Sequence, residues 1–152
     1  MHNLGIDSSR QPNVGLLVIS LRIPRPMVLI RLTVTQKAKK KTYLGVSHNQ
    51  IPRIVPSTIR SLSNLPSLEL NGNQISGMIP NELSQLSQLQ YLELEDNQLV
   101  GSIPPSIGQM KSLRELDLSF NKLSGPIPAT VVNISLLSVL VLLNNQINGS
   151  IP

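Results

Sequence analysis

Residues 83–104 of this 152-residue chain read LSQLSQLQYLELEDNQLVGSIP, and the same pattern of residue types recurs every 24 residues. Ten positions of the pattern agree without a gap over four consecutive rows, which are residues 57–80, 81–104, 105–128 and 129–152. A fixed period of this length predicts a stack of similar units instead of one mixed core. The most regular positions hold the leucines Leu68, Leu92, Leu116 and Leu140 and the asparagines Asn73, Asn97, Asn121 and Asn145.

The Leu-x-Leu step in each row predicts a short strand. Side chains alternate along a strand, so Leu92 and Leu94 point to the same face and fill the interior, where successive strands stack in parallel. We interpret the four asparagines as structural, because their amides can bond backbone groups that would otherwise be buried in the turn without partners. The glycine that follows gives the backbone extra freedom, and the Ile-Pro step then starts an extended return segment.

The pattern weakens toward the N-terminus. Residues 42–56 keep several repeated positions, but Arg53 stands where the other rows have glycine, so this row is predicted to be a partial repeat. Residues 1–41 have lost the pattern and form an atypical N-terminal segment. Two apolar runs within it, residues 14–23 and 27–35, could form a β-hairpin over the open edge of the repeats, and a poorly ordered segment is the alternative.

The row motif, Leu-x-x-Leu-x-x-Leu-x-x-Leu-x-Leu-x-x-Asn-x-Leu-x-Gly-x-Ile-Pro, resembles the plant-specific leucine-rich repeat of receptor-like kinase and receptor-like protein ectodomains. The Gly-x-Ile-Pro step is the part that makes the resemblance to this subclass specific. The resemblance covers residues 42–152 and implies an α/β-type leucine-rich-repeat solenoid. Such a solenoid is a curved right-handed superhelix with a parallel β-sheet on its concave face and irregular or 3-10 segments on its convex face. It also implies that a peptide or protein ligand, or a co-receptor, binds the concave face.

Charge and composition argue against other classes of protein. Residues 1–56 hold nine Lys/Arg and one acid, whereas residues 57–152 hold four Lys/Arg and seven acids, so the chain is not a uniformly basic nucleic-acid-binding protein. We predict no catalytic site, because the chain has no cysteine and its two histidines, His2 and His48, offer the serines no evident partner. No phosphate-binding glycine loop or kinase motif is present, and we expect neither a metal nor a cofactor.

The strand positions between the leucines form the candidate ligand-binding surface, because they face away from the interior. Glu69, Glu93 and Asp117 share one position of the repeat, and carboxylates stacked about 5 Å apart repel each other, which a purely structural role does not favour. We hypothesise an acidic patch that binds a basic peptide or a basic co-receptor surface. The alternative is that these acids only keep the sheet face soluble. The candidate residues are Glu69, Tyr91, Glu93, Glu95, Glu115, Asp117, Val139 and Val141.

Two sequons for N-linked glycosylation, at Asn133 and Asn148, give weak support for secretion. No signal peptide or membrane span is evident, so we expect a cell-surface or extracellular location that depends on a parent receptor. The predicted role is that of a protein-binding or peptide-binding module in plant cell-surface signalling, as a piece of a receptor-like kinase or receptor-like protein. The alternatives are a stand-alone secreted inhibitor of cell-wall hydrolases and a truncated gene product without function.

Overall fold

The structure, a computed structural model, describes residues 43–45, 47 and 54–152 of the chain. The atypical segment 1–41, with its predicted hairpin or poor order, lies outside the described residues, as does part of the partial repeat 42–56. Within the described ranges, no helix has the length and apolar character needed to cross a bilayer.

Each full 24-residue row begins with a 3-10 helix (η) and continues with two strands (β). In chain order the elements are β1 (Tyr43–Gly45), η1 (Ser57–Leu62), β2 (Ser67–Glu69), β3 (Ser76–Gly77), η2 (Asn81–Gln85), β4 (Tyr91–Glu93), β5 (Gln98–Gly101), η3 (Pro105–Gln109), β6 (Glu115–Asp117), β7 (Lys122–Gly125), η4 (Ala129–Asn133), β8 (Val139–Val141) and β9 (Gln146–Ile147).

The first strands of successive rows form one parallel sheet in the order β1-β2-β4-β6-β8. Leu68 pairs with Leu92, and Leu92 pairs with Leu116, so the register of the sheet follows the columns of the repeat. The parallel sheet and the 3-10 segments of the predicted solenoid are therefore confirmed.

A second parallel sheet, in the order β3-β5-β7-β9, was not predicted from the sequence. Its strands are two to four residues long and follow the asparagine turn of each row. Three of them end at a glycine with positive φ, +81° at Gly77, +78° at Gly101 and +77° at Gly125. Strands this short show no alternation of apolar and polar residues, which is the usual sequence signal of a half-buried strand.

The core is a continuous column of aliphatic side chains between the two faces. Leu92, Leu94 and Leu99 are fully buried in the row 81–104, and Leu116, Leu118 and Leu123 are fully buried in the next row. In the row 129–152 the corresponding side chains are only partly buried, because only one neighbouring row packs against them. Each row thus depends on its neighbours for burial, which is the expected energetics of a repeat array.

The 3-10 helices pack against each other along the convex side. Each follows a proline with extended backbone, such as Pro104 before η3, so the Ile-Pro step separates the second strand from the helix. The approach between η3 and η4 is close, because a Cβ added at Gly108 would lie 2.4 Å from the carbonyl oxygen of Thr130. Gly108 is buried, and the atoms of Thr130 leave no room for a side chain at this position.

Candidate ligand-binding surface

Three carboxylates stand side by side across the first sheet. The register pairs Glu69 with Glu93 and Glu93 with Asp117, and Val141 takes the same position in β8. We call Glu69, Glu93 and Asp117 the acidic column. Neighbouring strands lie about 4.8 Å apart, so the three acids form a closely spaced negative row.

A second column runs parallel to the first, two residues earlier in each row. It pairs Ser67 with Tyr91, Tyr91 with Glu115, and Glu115 with Val139. These side chains are half-buried, except that Val139 is 39% exposed. The structure therefore brings seven of the eight predicted site residues onto two adjacent columns of one sheet, and Glu95 follows β4 on the same side.

Burial and neighbouring negative charges raise the pKa of Glu93 from its ordinary 4.5 to about 7. The largest cause is partial burial of its carboxyl, and the negative charges of Glu69, Glu95, Glu115 and Asp117 add to it. Near neutral pH the Glu93 carboxyl therefore holds a proton for a large part of the time.

This raised pKa predicts that the array is more stable in mild acid than in mild base. The folded Glu93 binds its proton more tightly than the unfolded one, so its contribution is fully present below pH 4.5 and is lost as pH rises through about 7. Because the side chain is only half-buried and solvent screens its charge, we expect a difference of about 1 kcal/mol or less. Urea unfolding between pH 4 and 8 measures it, and Glu93→Gln should flatten the profile.

The matched control for this experiment is Glu82→Gln. Glu82 lies on η2, away from the acidic column, so its replacement removes one carboxyl without altering that column. If the free energy of unfolding changes equally with pH in the parent chain and in the Glu93→Gln variant, Glu93 is not the source of the pH dependence.

Glu95, two residues after Glu93, is also half-buried. Burial raises the pKa of its carboxyl, and the charges of Asp117 and Asp96 raise it further, whereas hydrogen bonds from its own backbone and from Asn71 lower it. Its Oε2 atom is buried and has no hydrogen-bond partner among the residues that the structure describes.

Ser119 fixes the carboxylate of Asp117, a contact that the sequence analysis missed. Its backbone N–H and its hydroxyl both donate to Asp117 Oδ1, at 2.9 and 2.6 Å. The signal was a serine two residues after the acid, a spacing at which hydroxyl-to-carboxylate bonds form locally. Asp117 is thus held in one orientation at the last position of the acidic column.

The asparagines lie behind this surface, at the end of each strand. Asn97 Nδ2 donates to the carbonyl oxygens of Leu70 at 3.0 Å and of Leu94 at 3.1 Å, which belong to two different rows. Asn97 Oδ1 accepts from the N–H of Ile75 at 3.0 Å. Asn121 and Asn145 repeat this arrangement one and two rows later, and we call the set Asn73, Asn97, Asn121 and Asn145 the asparagine ladder.

The C-terminal part of the surface is apolar. Val141 is half-buried, and two exposed side chains that the sequence analysis left out of the site follow the strands β6 and β8: Phe120, 55% exposed, and Leu143, 67% exposed. The two glycosylation candidates lie elsewhere. Asn133 is the last residue of η4 and Asn148 follows β9, and both are exposed.

The arrangement suits binding more than chemistry. Among the described residues, no group of three or more His, Cys, Asp or Glu side chains is placed to hold a metal ion. A sheet face with a charged row and an apolar margin offers recognition by charge and by contact area.

Two family profiles match the chain. A leucine rich repeat profile covers residues 42–99, and a profile of two leucine rich repeat copies covers residues 87–129. The chain belongs to the leucine-rich-repeat family. No curated protein matches this leucine-rich-repeat chain by sequence.

Solved ectodomains of plant receptor kinases are similar to this leucine-rich-repeat chain. One chain in the structure of the BIR3–SERK2 complex from Arabidopsis thaliana shares 36% sequence identity with this chain. The TM-score is 0.72, and the match covers 82% of this chain and 67% of that chain. The Arabidopsis receptor kinase HAESA, in complex with the peptide hormone IDA and the co-receptor SERK1, is 36% identical, with a TM-score of 0.71 over 82% of this chain and 19% of that chain.

The ectodomain of the plant membrane receptor kinase GASSHO1/SCHENGEN3 from Arabidopsis thaliana, in complex with CASPARIAN STRIP INTEGRITY FACTOR 2, gives a similar result. It is 35% identical, with a TM-score of 0.70 over 72% of this chain and 13% of that chain. This chain therefore spans less than one fifth of the GASSHO1/SCHENGEN3 and HAESA chains.

Proposed function

We propose that the repeats form a ligand-binding module of a plant receptor ectodomain at the cell surface, and that the acidic column recognises a basic peptide. The observation that carries the proposal is the register that stacks Glu69, Glu93 and Asp117 on adjacent strands. Like charges directly opposite on a sheet destabilise it, so their arrangement is better explained by a positive partner than by folding.

The distribution of charge over the repeats supports this proposal. Residues 57–152 contain seven acids, and six of them stand on the strands of the first sheet or directly after them, whereas Glu82 is the exception on η2. The acids are thus concentrated on one face instead of being spread over the surface for solubility. The structure of HAESA with a peptide hormone and a co-receptor is a similar scaffold that binds a peptide.

Selection of short random peptides against the full 152-residue chain tests the proposal. Peptides recovered by display should be enriched in lysine and arginine, and their affinity should fall with salt because exposed charges are screened. Replacing Glu69, Glu93 and Asp117 together by lysine should weaken a recovered peptide by roughly tenfold or more, which corresponds to about 1.4 kcal/mol. Unchanged affinity in this triple variant would reject the acidic column as the site.

Single substitutions provide the matched control for net charge. Glu93→Lys and Glu82→Lys change the charge of the chain equally, but only Glu93 lies in the acidic column. We expect the first to weaken peptide binding and the second to leave it unchanged.

A cell-surface location implies passage through the secretory route. We therefore propose that Asn133 and Asn148 carry N-linked glycans, since both are exposed and each begins a sequon. A loss of mass on enzymatic deglycosylation of the chain secreted from plant cells, absent when both asparagines are replaced by glutamine, tests this assignment.

A further inference from the structure

Phe120 has a backbone conformation that its side chain disfavours. Its φ is +51°, and the same position of the other rows holds Gly72, Asp96 and Asn144, with φ of 63°, 54° and 53°. Glycine, aspartate and asparagine tolerate this left-handed region, whereas a bulky aromatic residue there is an outlier. Phe120 therefore carries a conformational cost that the other three residues largely avoid.

Phe120 gains little burial in return for this cost, because more than half of its side chain is exposed. The Phe120 ring is 55% exposed and is not part of the hydrophobic core. Its backbone is fixed by the neighbouring rows, because its N–H donates to the carbonyl oxygen of Leu143 at 2.8 Å and its carbonyl oxygen accepts from the N–H of Asn97 at 3.2 Å. The fold thus holds the backbone in place and presents the ring outward.

Phe120 stands where the surface changes from acidic to apolar. The acidic column crosses β2, β4 and β6, and its position in β8 is taken by Val141. The exposed Asp96 precedes Phe120 in the same position of the previous row, and the exposed Leu143 lies in the row that follows. A ligand that runs across the rows therefore meets negative charge first and apolar surface next.

We propose that Phe120 and Leu143 form an apolar shelf that binds the apolar half of a bipartite peptide, whose basic half lies on the acidic column. This inference rests on the function proposed for the acidic column. Rows are about 4.8 Å apart and an extended peptide advances about 3.3 Å per residue, so the column spans roughly three peptide residues. The apolar residues follow the basic ones directly, without a long spacer.

Labelled synthetic peptides with three arginines and three leucines in separate blocks serve as probes. Peptides with both block orders are made, because the bound peptide can run across the rows in either chain direction with its basic block on the acidic column. The control peptide has the leucines replaced by serines. The full chain is compared with the Phe120→Asn, Leu143→Ser and triple charge-reversal variants by fluorescence anisotropy and by thermal unfolding.

We expect one block order to bind the parent chain roughly tenfold more tightly than the serine control. Phe120→Asn should abolish that difference and should raise the Tm, because asparagine tolerates the left-handed backbone. A gain in stability together with a loss of binding excludes misfolding as the cause. Leu143→Ser should reduce the difference without removing the binding of the basic block.

The outcomes separate the shelf from the acidic column. If the parent chain binds the serine control as tightly as both bipartite peptides, or if Phe120→Asn binds them unchanged, the shelf is overturned and the function proposed for the acidic column stands. If no peptide binds, or if the triple charge reversal changes nothing, the proposed function fails and the shelf proposal fails with it.

Discussion

Replacing Asn121 by alanine is expected to lower the free energy of unfolding by about 1–3 kcal/mol, one of the two largest effects we predict for a single substitution. Asn121 Oδ1 accepts from the buried N–H of Leu99 at 2.9 Å, and truncation leaves this donor without its partner. The carbonyl oxygens of Leu94 and Leu118 are less affected, because Leu94 still accepts from Asn97 and Leu118 from Asn145.

Chemical denaturation of the full chain measures this loss. A small domain is stable by only about 5–15 kcal/mol, so the change should shift the unfolding midpoint clearly. Asn145→Ala is the matched control, because the same amide one row later is only partly buried and water can replace its bonds. Equal midpoints for Asn121→Ala and Asn145→Ala would show that the buried N–H of Leu99 does not carry the effect.

Gly108→Ala is expected to destabilise the array by about 1–3 kcal/mol, through overpacking. The new Cβ would lie 2.4 Å from the carbonyl oxygen and 2.7 Å from the Cβ of Thr130, and neither atom can rotate away. The 3-10 helices η3 and η4 would have to separate. The sign of the effect is informative, because replacing glycine by alanine without steric conflict is stabilising by about 0.4–1 kcal/mol.

Thermal unfolding followed by circular dichroism tests this prediction. Gln109→Ala is the control, because Gln109 is exposed on the same helix and its change should leave the Tm within error. Hydrogen exchange should show faster exchange in η4 of the Gly108→Ala variant. A Tm equal to or above that of the parent chain would mean that the approach of Thr130 is looser than the structure has it.

The columns of the repeat made much of the fold predictable from the sequence. Glu69, Glu93 and Asp117 share a column, and because the strands pair in parallel without a shift, the column becomes a row of neighbours in space. Burial is the largest cause of the raised pKa of Glu93, and the neighbouring charges that add to it follow from this register. The size of the pKa shift could not be predicted from the sequence, because partial burial of the carboxyl depends on the packing of side chains from several strands.

Other features left little signal in the sequence. The second sheet has strands too short for a periodic pattern, so only the structure identifies β3, β5, β7 and β9. The left-handed backbone of Phe120 is implied by its column, in which Gly72, Asp96 and Asn144 all tolerate that conformation, but the phenylalanine itself argues against it. The hydrogen bonds that hold Phe120 in place come from other rows, and tertiary contacts of this kind override local preference.

The asparagine ladder also determines how the array responds to disturbance. Asn97 and Asn121 each donate to carbonyl oxygens of their own row and of the row before it, as Asn97 does with Leu94 and Leu70. A row that melts therefore deprives the adjacent row of polar partners, so fraying spreads along the chain instead of stopping at a boundary. A ligand that holds the row of Phe120 in place is therefore expected to slow amide hydrogen exchange in the rows that pack directly against it.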